Sequence, residues 1–239
     1  MAGGRAARFA GAVFALLVLA AGTLILALHF SWLRIPPNWA PWQPVQLDAP
    51  PSWLARMQVN SLAGDPEACF TALDRADMAY RRLDPRPLRE GCGMPDGGAQ
   101  VVRSGVRYAP SVSASCGVTA ALRWYERQLG LLAEAHFGQG LAGIDHLGTY
   151  ACRNLYARAE GRRSQHATAN AIDIAGFHLA DGTTVSVRRD WGRDDPRGRF
   201  LAAARDAACR FFNAVLSPDY NAAHADHFHL DLGRARICR

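Results

Sequence analysis

The sequence predicts an α+β domain, a small antiparallel sheet with flanking helices, preceded by one N-terminal transmembrane helix. Three observations lead there. Residues Phe9 to Phe30 form an uncharged, almost wholly apolar run behind Arg5 and Arg8, long enough for a span of about 20 residues. Beyond it, segments of helical period and segments of period-2 alternation follow one another without an internal repeat. Their order, helix, strand, helix, strands, helix, strand, suits a layered α+β domain rather than repeated βαβ units. The expected organisation is a membrane anchor over 1–31, a Pro/Trp-rich stalk over 32–61 and one domain over 62–239.

The N-terminal arginines predict that the amino end stays inside. A cleaved signal peptide competes with this reading, but its apolar core would span about 7–15 residues and be followed by a small-x-small site. The residues after the run (His29, Phe30, Ser31, Trp32) offer none, so an uncleaved signal anchor is favoured. Either way the rest of the chain is exported. Proline density from Trp32 to Trp53 argues against a helix or a central strand and reads as a semi-rigid stalk. Trp32 and its neighbours can sit in the membrane interface. Gln58 to Asp65 reads as a short edge segment.

Pro66 at a helix start, Glu67 in its first turn and Phe70, Leu73, Ala76 and Tyr80 behind them predict a helix over 66–83. The Pro- and Gly-rich stretch 85–98 predicts a long loop. Val101 to Tyr108 alternates as a strand. Thr119 to Phe137, with Leu122, Tyr125, Leu129 and Leu132 on one face and Gly138 as C-cap, predicts the clearest helix. Leu141 to Cys152 reads as a strand broken by glycines, followed by a charged loop over 157–165. Ala171 to Leu179 and Thr183 to Arg188 form a hairpin around Asp181-Gly182. Gly198 to Leu216 reads as a helix stopped by Ser217-Pro218, and a His-rich strand runs to Leu232.

The chain has 239 residues and a net charge of +6, and its basic residues are arginines scattered along it. A nucleic-acid patch would show as a clustered stripe or a known motif, and neither is present. Six cysteines, with no Cys-x-x-Cys pair among them, fit an oxidising compartment and up to three disulfides rather than metal ligation. Sequence does not choose among their pairings.

The chemistry concentrates in two clusters. The first is His224-Ala225-Asp226-His227-Phe228-His229-Leu230-Asp231; the second is Ser164-Gln165-His166, with Asp173 seven residues after the histidine. If Phe228 and Leu230 face a core, a strand puts His227, His229 and Asp231 on its other face. That presents either a metal site or an acid/base pair. Likewise Ile172 and Ile174 facing the core would leave Asp173 on the opposite side. A catalytic zinc takes three ligands from His, Asp and Glu and keeps one position open. The spacing of His166 and Asp173 is too long for one helix face and suits a loop running into a strand. His229 is the natural third ligand. Asp231 either anchors a ligand imidazole or caps the strand. His29, His136, His146 and His178 are isolated and read as surface or packing residues.

Ser164-x-His166-x-x-Ala169-x-Ala171-x-Asp173 resembles the Ser-x-His-x-x-Gly-x-Ala-x-Asp motif of the D-Ala-D-Ala metallopeptidases. Those enzymes share their zinc-peptidase (LAS-like) fold with lysostaphin-type endopeptidases and hedgehog signalling domains. The ending His224-x-x-His227-x-His229 resembles that of a penicillin-insensitive murein endopeptidase of the same superfamily. Over a longer span, Tyr150 to Asn154, Ser164 to Phe177 and Pro218 to Asp231 resemble the bacterial extensin-like C-terminal domain family, across roughly 62–238. The resemblance implies one Zn2+ on His166, Asp173 and His229. It implies His227 as base or transition-state stabiliser with His224 supporting it, and Ser164 and Arg153 as substrate-binding residues. Two positions depart from the pattern. Ala169 stands where the motif has Gly, and Asp226 stands where the carboxypeptidases place a Glu. Asp226 could act as a base through water, hold a ligand imidazole or stand idle, and the base role is given to His227. The expected function is a periplasmic, inner-membrane-anchored zinc peptidase acting on peptidoglycan peptides. The alternative is a non-catalytic zinc-binding envelope module for glycan or a partner protein. No nucleic-acid partner is expected.

Overall fold

The computed structural model describes residues 3–30 and 32–239. An apolar helix, α1 (Gly3–His29), leads the chain, and its stretch Arg8–His29 has a mean hydropathy of 2.6 and no buried residues. Its length and composition match a single-pass anchor or a signal sequence alike.

The next segment does not stand off as a stalk. From Asn38 onward it lies against the domain. The Asn38 amide exchanges hydrogen bonds with the backbone of Gln46, the Trp124 indole donates to the carbonyl of Ala49, and Arg123 grips Asp48 at 2.6 and 3.1 Å. Leu47 joins the core. Prolines stop this stretch from forming regular structure, but they do not stop Leu47 and Asn38 from being buried. Nor is 58–65 an edge strand. It falls within helix α2 (Ala55–Gly64), whose Val59 and Leu62 are buried. The domain therefore begins well before residue 62.

Helix α3 (Pro66–Asp74) has Asp65 as its N-cap, whose carboxylate accepts from the amide of Ala68. It ends nine residues short of the expected boundary, because the chain reverses into strand β1 (Ala79–Leu83). Tyr80 and Leu83 fit a helical period as well as a strand, and pairing decides it. Strand β1 runs antiparallel to β4 (Gly98–Arg103). Between them the expected loop contains a small hairpin, β2 (Arg86–Arg89) and β3 (Cys92–Met94). The expected strand 101–108 is divided between β4 and β5 (Arg107–Ala109), with β6 (Ser113–Ala114) beyond.

Helix α4 (Cys116–Phe137) is the central pillar, capped by Ser115 at one end and by left-handed Gly138 at the other. It packs against α2, α3 and later α6. After α4 the chain runs through β7 (Leu141–Gly148), β8 (Ala171–Leu179), β9 (Thr184–Ser186), a short helix α5 (Val187–Asp190), α6 (Pro196–Ala208), β10 (Ala214–Leu216), β11 (Phe228–Asp231) and β12 (Ile237–Cys238), and these strands join β5 in the main sheet. The order across the sheet is β12-β10-β11-β8-β7-β5, with β9 also on β8. Pairing is antiparallel except for the edge pairs β5·β7 and β10·β12. The expected helix 198–216 stops at Ala208, because Ala214–Leu216 pairs with β11 instead.

Ile172, Ile174, Phe228 and Leu230 are fully buried and join the aromatic core of Trp124, Tyr125, Phe200 and Phe211. Alternation then leaves Asp173, His229 and Asp231 on the opposite face of the sheet. Three disulfides brace the domain: Cys69–Cys116 joins α3 to α4, Cys92–Cys152 ties the β2–β3 hairpin beneath Arg153, and Cys209–Cys238 fastens the C-terminus.

Candidate metal centre

The two sequence clusters meet because β11 pairs with β8 in a register that sets His229 directly opposite Asp173. His166 arrives from a 3-10 turn over Gln165–Thr168, just before β8. Its Nε2 lies 3.1 Å from Asp173 Oδ1 and 3.1 Å from His229 Nδ1, and those two atoms are 2.9 Å apart. Three potential ligand atoms thus form one small triangle, and it is the one such His/Asp group found among the described residues.

The protons on the two rings are set from outside the triangle. His166 Nδ1 faces the carbonyl of Thr149 at 3.2 Å, and His229 Nε2 faces Asp231 Oδ2 at 2.9 Å. A carbonyl and a carboxylate only accept, so each outer nitrogen carries hydrogen. In the neutral rings the inner nitrogens then present lone pairs, and with the Asp173 oxygen three lone pairs converge on one point. Crowding three electron-rich atoms at about 3 Å is favourable only with a positive charge between them. Asp231 therefore holds a ligand-position imidazole, and its other oxygen accepts from the amide of Gly233 at 2.7 Å. It does both jobs that the sequence left open.

The titration behaviour of the triangle agrees with this. Burial would drive the proton off His229, but its bonds to Asp173 and Asp231 outweigh burial and push its pKa up to about 9. For Asp173 burial acts upward, yet His166 and His229 hold the carboxyl well below the usual carboxylate range. Without a metal, a proton on His229 supplies the positive charge between these atoms below about pH 9. Zinc ligands at about 2.0–2.2 Å from a tetrahedral ion lie about 3.3–3.5 Å apart. The observed edges, 2.9 to 3.1 Å, need only a few tenths of an ångström of expansion. The donor set, the fixed tautomers and the spacing all fit zinc.

His227 stands just outside the triangle, with Nε2 3.6 Å from Asp173 Oδ1. Its Nδ1 donates to Asp226 Oδ1 at 2.8 Å. Asp226 thus pairs with His227, on the ring edge opposite the nitrogen that faces Asp173. His224 packs beside His227 and His229 with ring centroids 5.3 and 5.9 Å away. Burial, reinforced by those two imidazoles, lowers its pKa to about 4, so it stays neutral. Its Nδ1 donates to Asn221 Oδ1 at 2.7 Å, and Asn221 in turn donates to the Tyr156 hydroxyl at 3.1 Å.

Ser164 is buried, and its hydroxyl accepts from the amide of His166, capping the turn that delivers the ligand. Arg153 is exposed, close enough to His224 to help depress its pKa, and its backbone carbonyl accepts from the amide of Ser164. His178 pairs with Asp145 at 2.7 Å, and His146 Nε2 meets the carbonyl of Pro110, so both stay outside the triangle. The residues that sequence reasoning missed are Thr149, Tyr156 and Tyr220, whose ring stands edge-on to His224 at 5.6 Å. Tyr156 and Ala157 are both left-handed, at φ 56° and 53°, a conformation that costs about 1–2 kcal/mol per non-glycine residue. No local pattern signals this. The site contacts that hold Tyr156 against Asn221 and His224 do.

A family model for the C-terminus of extensin-like proteins matches residues 67–239. The chain belongs to the extensin-like C-terminal family. Neither the search of curated proteins nor that of solved structures found a match. The family match covers all of the site residues named above, whereas the packed segment from Asn38 to Pro66 lies outside it.

In this extensin-like domain Ala169, the departure from glycine, sits at φ 53° and is fully buried. Alanine tolerates the left-handed region at modest cost, and a β-branched residue does not. Ala169→Gly should stay within about 1 kcal/mol of the parent, since relief of the backbone offsets lost burial and added chain entropy. Ala169→Val should lose more than about 2 kcal/mol in denaturant titration. Equal stability of the two variants would refute the strain.

Proposed function

We propose that this protein is a zinc peptidase anchored in the inner membrane, whose periplasmic domain hydrolyses a peptide bond in peptidoglycan stem or cross-link peptides. The observation that carries the reading is the convergence of three lone pairs from His166, Asp173 and His229, with both ring tautomers fixed from outside by Thr149 and Asp231. Such outer partners are the usual companions of metal-ligating histidines. The apolar helix α1, the exposed Trp32, Trp39 and Trp42 behind it, and three disulfides support an exported, membrane-attached domain.

His166, Asp173 and His229 would hold the ion. Zinc, when bound, supplies Lewis acidity that brings a water toward neutral pKa and polarises a carbonyl. The remaining steps belong to the chain. His227, with its proton on Nδ1 committed to Asp226, keeps Nε2 free to take a proton from the attacking water and pass it to the leaving amine. Neutral His224, fixed by Asn221, closes the wall beside it without adding repulsive charge. Arg153 is exposed near His224 and offers its planar fork to a substrate carboxylate.

The test is digestion of purified peptidoglycan by the full chain in detergent with added zinc, followed by separation of the released fragments. New peptide termini that disappear on chelation are the expected result. A zinc-loaded protein that releases none would sink the peptidase and leave a zinc-holding envelope module.

A further inference from the structure

A second, separate site lies on the far side of the turn that carries His166. A polar cleft of about 680 Å³ is lined by Arg162, Arg234 and Arg236 together with the amides of Asn60, Asn170 and Asn213. No carboxylate lines it. Elsewhere on the surface several arginines have a carboxylate partner: Arg103 meets Asp77, Arg193 meets Asp195, Arg199 meets Asp194 and Arg205 meets Asp206. Among the described residues the three cleft arginines form no ion pair and no side-chain hydrogen bond.

The cleft is built rather than incidental. Asn60 and Asn213 exchange amide hydrogen bonds at 2.8 and 3.1 Å. Asn213 also holds both ends of the arginine loop: its Nδ2 donates to the carbonyl of Gly233 at 2.8 Å, and its carbonyl accepts from the amide of Ile237. Asp231 fixes Gly233 from the other side, and the Cys209–Cys238 disulfide pins the strand that follows. This anchoring fixes the backbone that carries Arg234 and Arg236 on the rim of the cleft. Like charges gathered without a counter-charge are unfavourable until an anion joins them.

The amide groups decide the kind of anion. They line the same cleft as the arginines and match hydroxyls and carbonyls, and little apolar surface is present to receive an acyl chain or a base. We infer that this cleft binds an acidic saccharide, its carboxylate held by Arg162, Arg234 and Arg236 and its hydroxyls by the N–H groups that Asn60 and Asn170 have left over from their bonds to Asn213 and Gln165. Arginine forks match carboxylates in paired hydrogen bonds. The site does not depend on metal or catalysis at the triangle.

Calorimetric titration of the full chain in detergent with a uronic-acid trisaccharide, and with the matching neutral trisaccharide, tests this. The acidic sugar should bind and the neutral one should bind at least about ten-fold more weakly. Arg234→Ala and Arg236→Ala should each weaken the acidic sugar by about ten-fold or more, with unchanged melting temperature and zinc uptake, and raising salt should weaken it further. His227→Ala should bind the sugar like the parent, which separates this site from the proposed peptidase. Equal binding of neutral and acidic sugars would overturn the inference. So would arginine variants that bind normally, or competition by inorganic phosphate at the sugar's own concentration.

Discussion

His229→Ala is expected to abolish tight zinc binding, with uptake falling to the level of adventitious sites. Two ligand atoms would remain, and both were placed around the third. The Asp231 carboxylate would also lose one of its two donors, keeping the Gly233 amide, and the Asp173 carboxyl one of its two imidazole partners. Two nearly buried carboxylates would then share one site, so stability should fall as well. Asp231→Asn separates the two effects, since it keeps all three ligands but no longer fixes the His229 ring as an anion does. Its zinc affinity should drop by about 10–100-fold. Elemental analysis after dialysis against a graded chelator reads both. Full zinc occupancy in His229→Ala would remove the metal assignment.

The same site makes a pH prediction. In the metal-free chain the His229 pKa is raised to about 9 from an ordinary 6.5. Its contribution to stability is therefore complete below about 6.5 and is lost as pH rises through about 9. Asp173 works the other way: its lowered pKa gives stability that is present above its ordinary 3.8 and lost as pH falls through the lower value. Zinc must displace the His229 proton, so affinity should rise about ten-fold per pH unit up to about 9 and then level off. An affinity flat between pH 6 and 9 would show that no proton leaves on binding.

Much of the site was legible because it rests on a period of two. Ile172 and Ile174 fixed the facing of Asp173, Phe228 and Leu230 fixed that of His229, and strand β8 has the expected bounds. Helix α4 was legible from its apolar face and Gly138, although it begins three residues early, at Cys116. What failed was wherever local pattern and partner disagreed. Tyr80 and Leu83 suit a helical period, yet β4 claims them. Ala214 to Leu216 prolong an apolar helix in sequence, yet they pair with β11 and so support the ligand strand itself. Proline marked 32–53 as irregular, which it is, but could not say that Leu47 and Asn38 are buried. Asp226 was ambiguous for a different reason: its role depends on one side-chain direction, and only the bond to His227 reveals it.

That bond leads to the second large effect. His227→Ala should reduce peptide hydrolysis by about 10²–10⁴-fold while leaving zinc content and melting temperature unchanged. His227 lies 3.6 Å from Asp173 and contributes no atom to the ligand triangle, so its loss removes a proton carrier and not a ligand. Asp226→Ala should lie between that variant and the parent, about 10–100-fold down, because His227 remains but its ring and tautomer are no longer held. The double variant should be no worse than His227→Ala alone, since Asp226 acts only through the histidine. If Asp226 were instead the base, its removal would cost as much as that of His227, and the double variant would show two separable losses. Rates for the two single variants and the double, each measured on zinc-saturated protein, decide between a histidine base steadied by a carboxylate and a carboxylate acting by itself.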